Sequence, residues 1–178
     1  DDPEVWGSER FTIGLWVGQS VTPNNFDDAK AALKNLKAEK PVFDKSPCQV
    51  LFCPWCGTDL GPDNYVADDA TETITINCPN VECDYSRANG AVGIPAIVVD
   101  DEIYRHPPSL LMATVDKFAQ MPWNGKIQSL FGRVERHCPR HGWISAAEQH
   151  SGTHDETDEL DEVVVSKADR TLGPPELI

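Results

Sequence analysis

The hydrophobic pattern opens with Phe11–Val17, a short apolar run rich in β-formers that predicts a buried strand. A polar loop from Gly18 to Asn25 follows. Phe26, Ala29, Leu33 and Leu36 then recur at helical spacing. Asp27 and Asp28 begin that stretch and lysines close it, so charge follows the helix dipole. Strand, loop and helix in this order are the unit of an α/β sheet. The pattern changes at Lys40-Pro41. Gln49–Phe52 reads as a short strand, and Thr71–Asn77 alternates polar and apolar positions as a second one. α/β character returns over residues 91–132. There Pro95–Val99 and Ser109–Ala113 predict strands, and Thr114–Gln120 predicts a short helix with Thr114 at its N-cap. Lys126–Phe131 predicts one more helical turn, stopped by Gly132.

Cysteine spacing changes this picture. Cys53-Pro-Trp-Cys56-Gly57 and Cys78-Pro-Asn-Val-Glu-Cys83 are two tight turns, each following a predicted strand. Two such turns deliver four thiolates to one point, the arrangement of a tetrahedral zinc site. Gly57 permits the positive φ with which the first turn must end. Two hairpins clasping one ion make a zinc ribbon, a module too small to hold together without its metal. Buried free thiols, a disulfide pair and a redox dithiol are the alternatives. The redox reading needs a helix starting at Cys53, and Gly57–Asn64 is turn sequence instead. A deaminase needs a His-x-Glu ahead of its Pro-Cys-x-x-Cys, which is absent. Cys48 reads as an incidental extra thiol.

A second cluster contains Cys138, His141, His150 and His154. Cys138-x-x-His141 has knuckle spacing, and His150 and His154 are spaced as ligands on one helical face, so the four can form a second metal site. The bland alternative is a turn with one buried cysteine and surface histidines. His106, ahead of Pro107-Pro108, reads as structural.

The 178 residues suit one medium domain or two small ones, and 40% hydrophobic content allows a real core. No apolar run is long enough to span a membrane and no signal peptide is visible. Six cysteines with metal-type spacing point to a reducing, cytoplasmic setting. A formal net charge of −14 argues against a freestanding nucleic-acid binder. Asp155, Glu156, Asp158, Glu159, Asp161 and Glu162 read as a solvated loop. They lack the glycine and ligand spacing of a calcium loop.

Ile103–Ala119 resembles a signature stretch of a superfamily 2 helicase family, one that includes the large helicase of the DISARM bacterial phage-defence system. The resemblance extends to Gly14–Gly18 with Thr22-Pro23-Asn24, the Cys-Pro-Trp-Cys-Gly turn, Leu130-Phe-Gly132, Cys138–Gly142 and Gly173–Ile178. It implies a partial RecA-like motor domain of α/β class carrying an inserted zinc ribbon. On that reading residues 1–40 are the motif Ia region, 41–90 the ribbon, 91–132 the motif Ib region, 133–170 a Cys/His hairpin with an acidic loop, and 171–178 the start of the motif II strand. The chain would then be a fragment cut just as that strand begins. Motif Ib would be Thr114–Phe118, and the implied DNA phosphate contacts are Thr114, Lys117 and Thr22. No phosphate loop, magnesium-binding Asp-Glu-x-His box or arginine finger is present. ATP and Mg2+ would therefore belong to a full-length parent and this chain alone would be inactive. DNA would be reached through the parent, with a partner subunit of a defence complex as a second partner. The competing readings are a freestanding zinc-ribbon module that binds protein and a redox enzyme using Cys53 and Cys56.

Overall fold

The computed structural model describes residues 10–18, 20–154 and 163–168. The acidic loop read over 155–162 and the strand read over 171–178 lie outside the described residues. Strand β1 (Ile13–Trp16) leads into α1 (Phe26–Lys37), and a long connection then reaches the hairpin β2 (Tyr65–Asp68) and β3 (Thr73–Ile76). Next come β4 (Ala96–Ile97), α2 (Asp100–Arg105), β5 (Leu110–Ala113) and α3 (Val115–Gln120). A 3-10 segment, Gly125–Phe131, ends at Gly132. The hairpin β6 (Arg136–Cys138) and β7 (Gly142–Ile144) follows, then β8 (Thr153–His154), β9 (Val163–Val164) and β10 (Ser166–Lys167).

The protein is mixed α/β. Its parallel sheet has the order β4-β1-β5, with Gly14 opposite both Ile97 and Leu111. Side chains alternate across β1 and β5. Trp16, with Leu111 and Ala113 beside it, turns inward onto Ile97, Ile103, Tyr104, Ile127 and Leu130. The Trp16 indole N–H donates to the Tyr104 hydroxyl at 3.1 Å. On the other face Ile13, Leu110 and Met112 are exposed. The strand expected to be buried is thus covered on one side only, among the described residues.

Helix α1 starts where Asn25 accepts the Asp28 N–H at 2.8 Å. It buries Phe26, Ala29, Ala32 and Leu33, whereas Leu36, expected on the same face, is half-buried. These side chains pack on Cys53, Cys78, Cys83, Tyr65, Ile74 and Ile76, and the same core takes in Val98 and Val99. The cysteine region has no private core; it shares one with α1 and with the residues that follow β4.

Gln49–Phe52 is not a strand. Only Phe52 pairs, as a single bridge to Asp59, so the region holds one hairpin rather than two. Its backbone is satisfied locally instead: the Tyr65 hydroxyl donates to the Val50 carbonyl and accepts the Val50 N–H, both at 2.9 Å. Helix α2 was not expected from the pattern. Its buried residues include Asp100, Glu102 and Arg105, and Glu102 accepts the Ile74 N–H at 3.1 Å.

Leu33→Ala should lower the unfolding free energy by about 2–5 kcal/mol, as deletion of a well-packed core leucine does. Urea unfolding followed by tryptophan fluorescence reads this loss as one transition shared with the cysteine region. Two separate transitions would show that the core is not continuous.

Candidate metal centres

The first cluster is built by two turns. The Cys53 N–H donates to the Thr58 carbonyl and the Gly57 N–H to the Cys53 carbonyl, at 2.8 and 2.9 Å, closing the first knuckle. Gly57 ends it at φ 75°, the left-handed conformation its sequence position called for. In the second knuckle the Cys78 N–H donates to the Tyr85 carbonyl at 3.0 Å and the Cys83 N–H to the Asn80 carbonyl at 2.9 Å. The four ligand sulfurs all lie within 4.8 Å of one another. Cys53 Sγ is 3.7 Å from Cys83 Sγ, and Cys56 Sγ is 3.5 Å from Cys78 Sγ. A tetrahedron with Zn–S bonds of about 2.3 Å has edges of about 3.8 Å. Disulfide-bonded sulfurs sit about 2.05 Å apart, so no pair here is bonded. Cys53, Cys78 and Cys83 are buried and Cys56 is exposed. The Thr58 hydroxyl beside Cys56 draws its thiol down to about 6, while burial pushes Cys78 and Cys83 up. The donor set therefore fits a zinc ion. No helix starts at Cys53, so the feature that activates a redox dithiol is lacking. Cys48 lies outside the cluster, half-buried against the core.

The second cluster forms where the β6–β7 hairpin meets the segment leading into β8. Cys138 is fully buried at the end of β6, and His141 lies in the turn before Gly142. Gly142 has φ 87°, and a Cβ there would strike the Arg105 carbonyl and the His106 ring. Cys138 Sγ and His141 Nδ1 are 3.6 Å apart, and His141 Nδ1 and His150 Nε2 are 3.0 Å apart. The rings of His141, His150 and His154 meet pairwise edge to face, with centroids 4.7–5.1 Å apart. All four expected residues are thus gathered, with ligand atoms within 4.8 Å of one another. The expected route was wrong: His150 lies in irregular chain and His154 in β8, not on one helix. Burial lowers the His106 pKa to about 4, consistent with a structural role.

The residues expected to touch phosphate are placed differently. Thr22 is fully buried, its hydroxyl donating to the Val17 carbonyl at 3.4 Å. Lys117 is 3% exposed, paired with the buried Asp100 carboxylate and set over the Trp16 ring. Burial raises Asp100 to about 6 against the pull of Lys117. Thr114 occupies the N-cap position of α3, but its side chain makes no capping bond, and its hydroxyl has no partner among the described residues. None of the described helices is long and apolar enough to cross a membrane.

Fold and clusters together define a mixed α/β protein with a parallel sheet and two tetrads of metal-type donors. No family model matches the chain. The chain is similar to the DISARM protein DrmA of Bacillus paralicheniformis, at 38% identity over 156 residues. That match takes in 84% of this chain and 14% of the relative's length. The chain thus matches one stretch of a much longer DISARM protein.

Lys117→Ala should destabilise the protein by about 3–5 kcal/mol, because it leaves the Asp100 charge buried and unpaired. Urea denaturation at neutral pH reads the loss. Unchanged stability would mean that the ammonium is held for another purpose.

Proposed function

We propose that this chain is a zinc-bearing internal segment of an ATP-dependent DNA translocase of a bacterial phage-defence system. The observation that carries the reading is the 38% identity to the DISARM protein DrmA over most of the chain. The parallel β4-β1-β5 sheet suits part of a RecA-like motor domain, with the four-cysteine ribbon inserted into it. Cys53, Cys56, Cys78 and Cys83 hold one Zn2+ as a structural centre, since four thiolates leave no open position for water. ATP and Mg2+ belong to the longer parent, because the phosphate loop and the acidic box are missing from this sequence.

In this reading β5 feeds motif Ib at Thr114. Of the three residues expected at phosphate, Thr114 alone is not fully buried; its hydroxyl oxygen is itself buried and has no hydrogen-bond partner among the described residues. Lys117 acts on DNA indirectly, by fixing α3 to Asp100. A second reading, a ribbon that docks a protein partner, is favoured by the exposed Leu51, Phe52, Trp55 and Val81 around the knuckles.

Fluorescence anisotropy with a single-stranded oligonucleotide, read across a salt series, tests the first reading. Weak binding that falls with rising salt is expected, with no ATP turnover. ATP hydrolysis by this chain alone, or no oligonucleotide binding even at low salt, would overturn it. Cys78→Ser should release one zinc per chain and unfold the cysteine region, since metal-binding free energy there is largely folding free energy. Native metal content and an unchanged melting temperature in that variant would contradict the zinc centre.

A further inference from the structure

We propose that Cys138, His141, His150 and His154 hold a second Zn2+ in a closed site of one cysteine and three histidines. Thiolate with imidazole is a donor set that zinc accepts readily. Bonds of about 2.3 Å to sulfur and about 2.0–2.1 Å to nitrogen give tetrahedral edges of about 3.5 Å for S–N and 3.3 Å for N–N. The observed separations are 3.6 Å from Cys138 Sγ to His141 Nδ1 and 3.0 Å from His141 Nδ1 to His150 Nε2.

The surroundings prepare His150 as a ligand. Its Nδ1 lies 2.6 Å from the Ser151 carbonyl and donates to it, which leaves the Nε2 lone pair facing His141. Such an outer hydrogen bond fixes the tautomer of a metal-bound imidazole. A simple hydrogen bond between His141 and His150 accounts for two of these groups. It does not account for the third ring meeting both of them edge to face, or for a fully buried thiol at the base.

Chain connectivity points the same way. No helix or strand is found between Ile144 and Thr153, so His150 is carried by irregular backbone. One ion would fasten that segment to the β6–β7 turn. Binding displaces the Cys138 proton to solvent, so Zn2+ with one thiolate leaves a net charge of +1. The cavity beside the cluster, about 430 Å³, gives the ion a way in; its acidic lining residues Glu72 and Asp101 are already paired with Arg105 and Lys126.

Native mass spectrometry of this chain, purified without added metal, tests the site alongside His150→Ala and Cys56→Ser. Two zinc ions are expected in the parent chain and one in each variant, with the far-UV circular dichroism of His150→Ala preserved. The proposal rests on ligands separate from the four-cysteine centre, so the two readings fail differently. One zinc that survives His150→Ala overturns the second site and leaves the first. One zinc lost in His150→Ala but kept in Cys56→Ser supports the second site and removes the first. Two zinc ions retained in His150→Ala, or none in the parent chain, also overturn the proposal.

Discussion

Convergence of four cysteine sulfurs on one point governs the first half of this protein. The chain between α1 and β2 has almost no regular structure of its own. Its path is set by Cys53 and Cys56 meeting Cys78 and Cys83, and by the Tyr65 hydroxyl holding Val50. Helix α1 then packs Phe26, Ala29 and Leu33 against the buried cysteines. If the knuckles part, α1 loses the surface it is folded on. The sheet beyond loses the packing that reaches Val98 and Val99.

The two cysteine-bearing corners are also joined to each other. Arg105 of α2 bridges to Glu72, at the tip of the β2–β3 hairpin, at 2.6 Å. Glu72 lines the same cavity as His141, His150 and His154. Gly142, which lets the chain turn beside His141, packs on the Arg105 carbonyl. Helix α2 is thus a spacer between the hairpin and the histidine cluster, and its charged residues are buried because they are used on both sides.

That arrangement explains what the sequence made legible and what it did not. β1, α1, β3 and β5 fall within the stretches their pattern marks, because one face of each meets a core, and α3 starts after Thr114 where the N-cap reading put it. Cysteine and histidine spacing located both clusters, since knuckle turns are local. α2 stayed hidden because Asp100, Glu102 and Arg105 look like solvent-facing residues and are buried only through Lys117, Ile74 and Glu72. Gln49–Phe52 has strand composition, but only Phe52 finds a bridge partner, a fact of tertiary placement. His150 and His154 suggested a helix because their spacing fits one, whereas β8 pairing with β9 delivers His154. The burial of Thr22 and Lys117 was likewise invisible in a polar residue type.

The sheet itself has a consequence for how the chain behaves in water. Parallel sheets are normally covered on both faces. Among the described residues, Ile13, Leu110 and Met112 form an oily strip on the outer face, beside Phe11. What opposes self-adhesion is repulsion between chains that each carry a formal charge of −14. The restraint on self-adhesion along that strip is then electrostatic rather than steric. It weakens as added salt shortens the reach of that repulsion to about 8 Å at physiological strength and less beyond it.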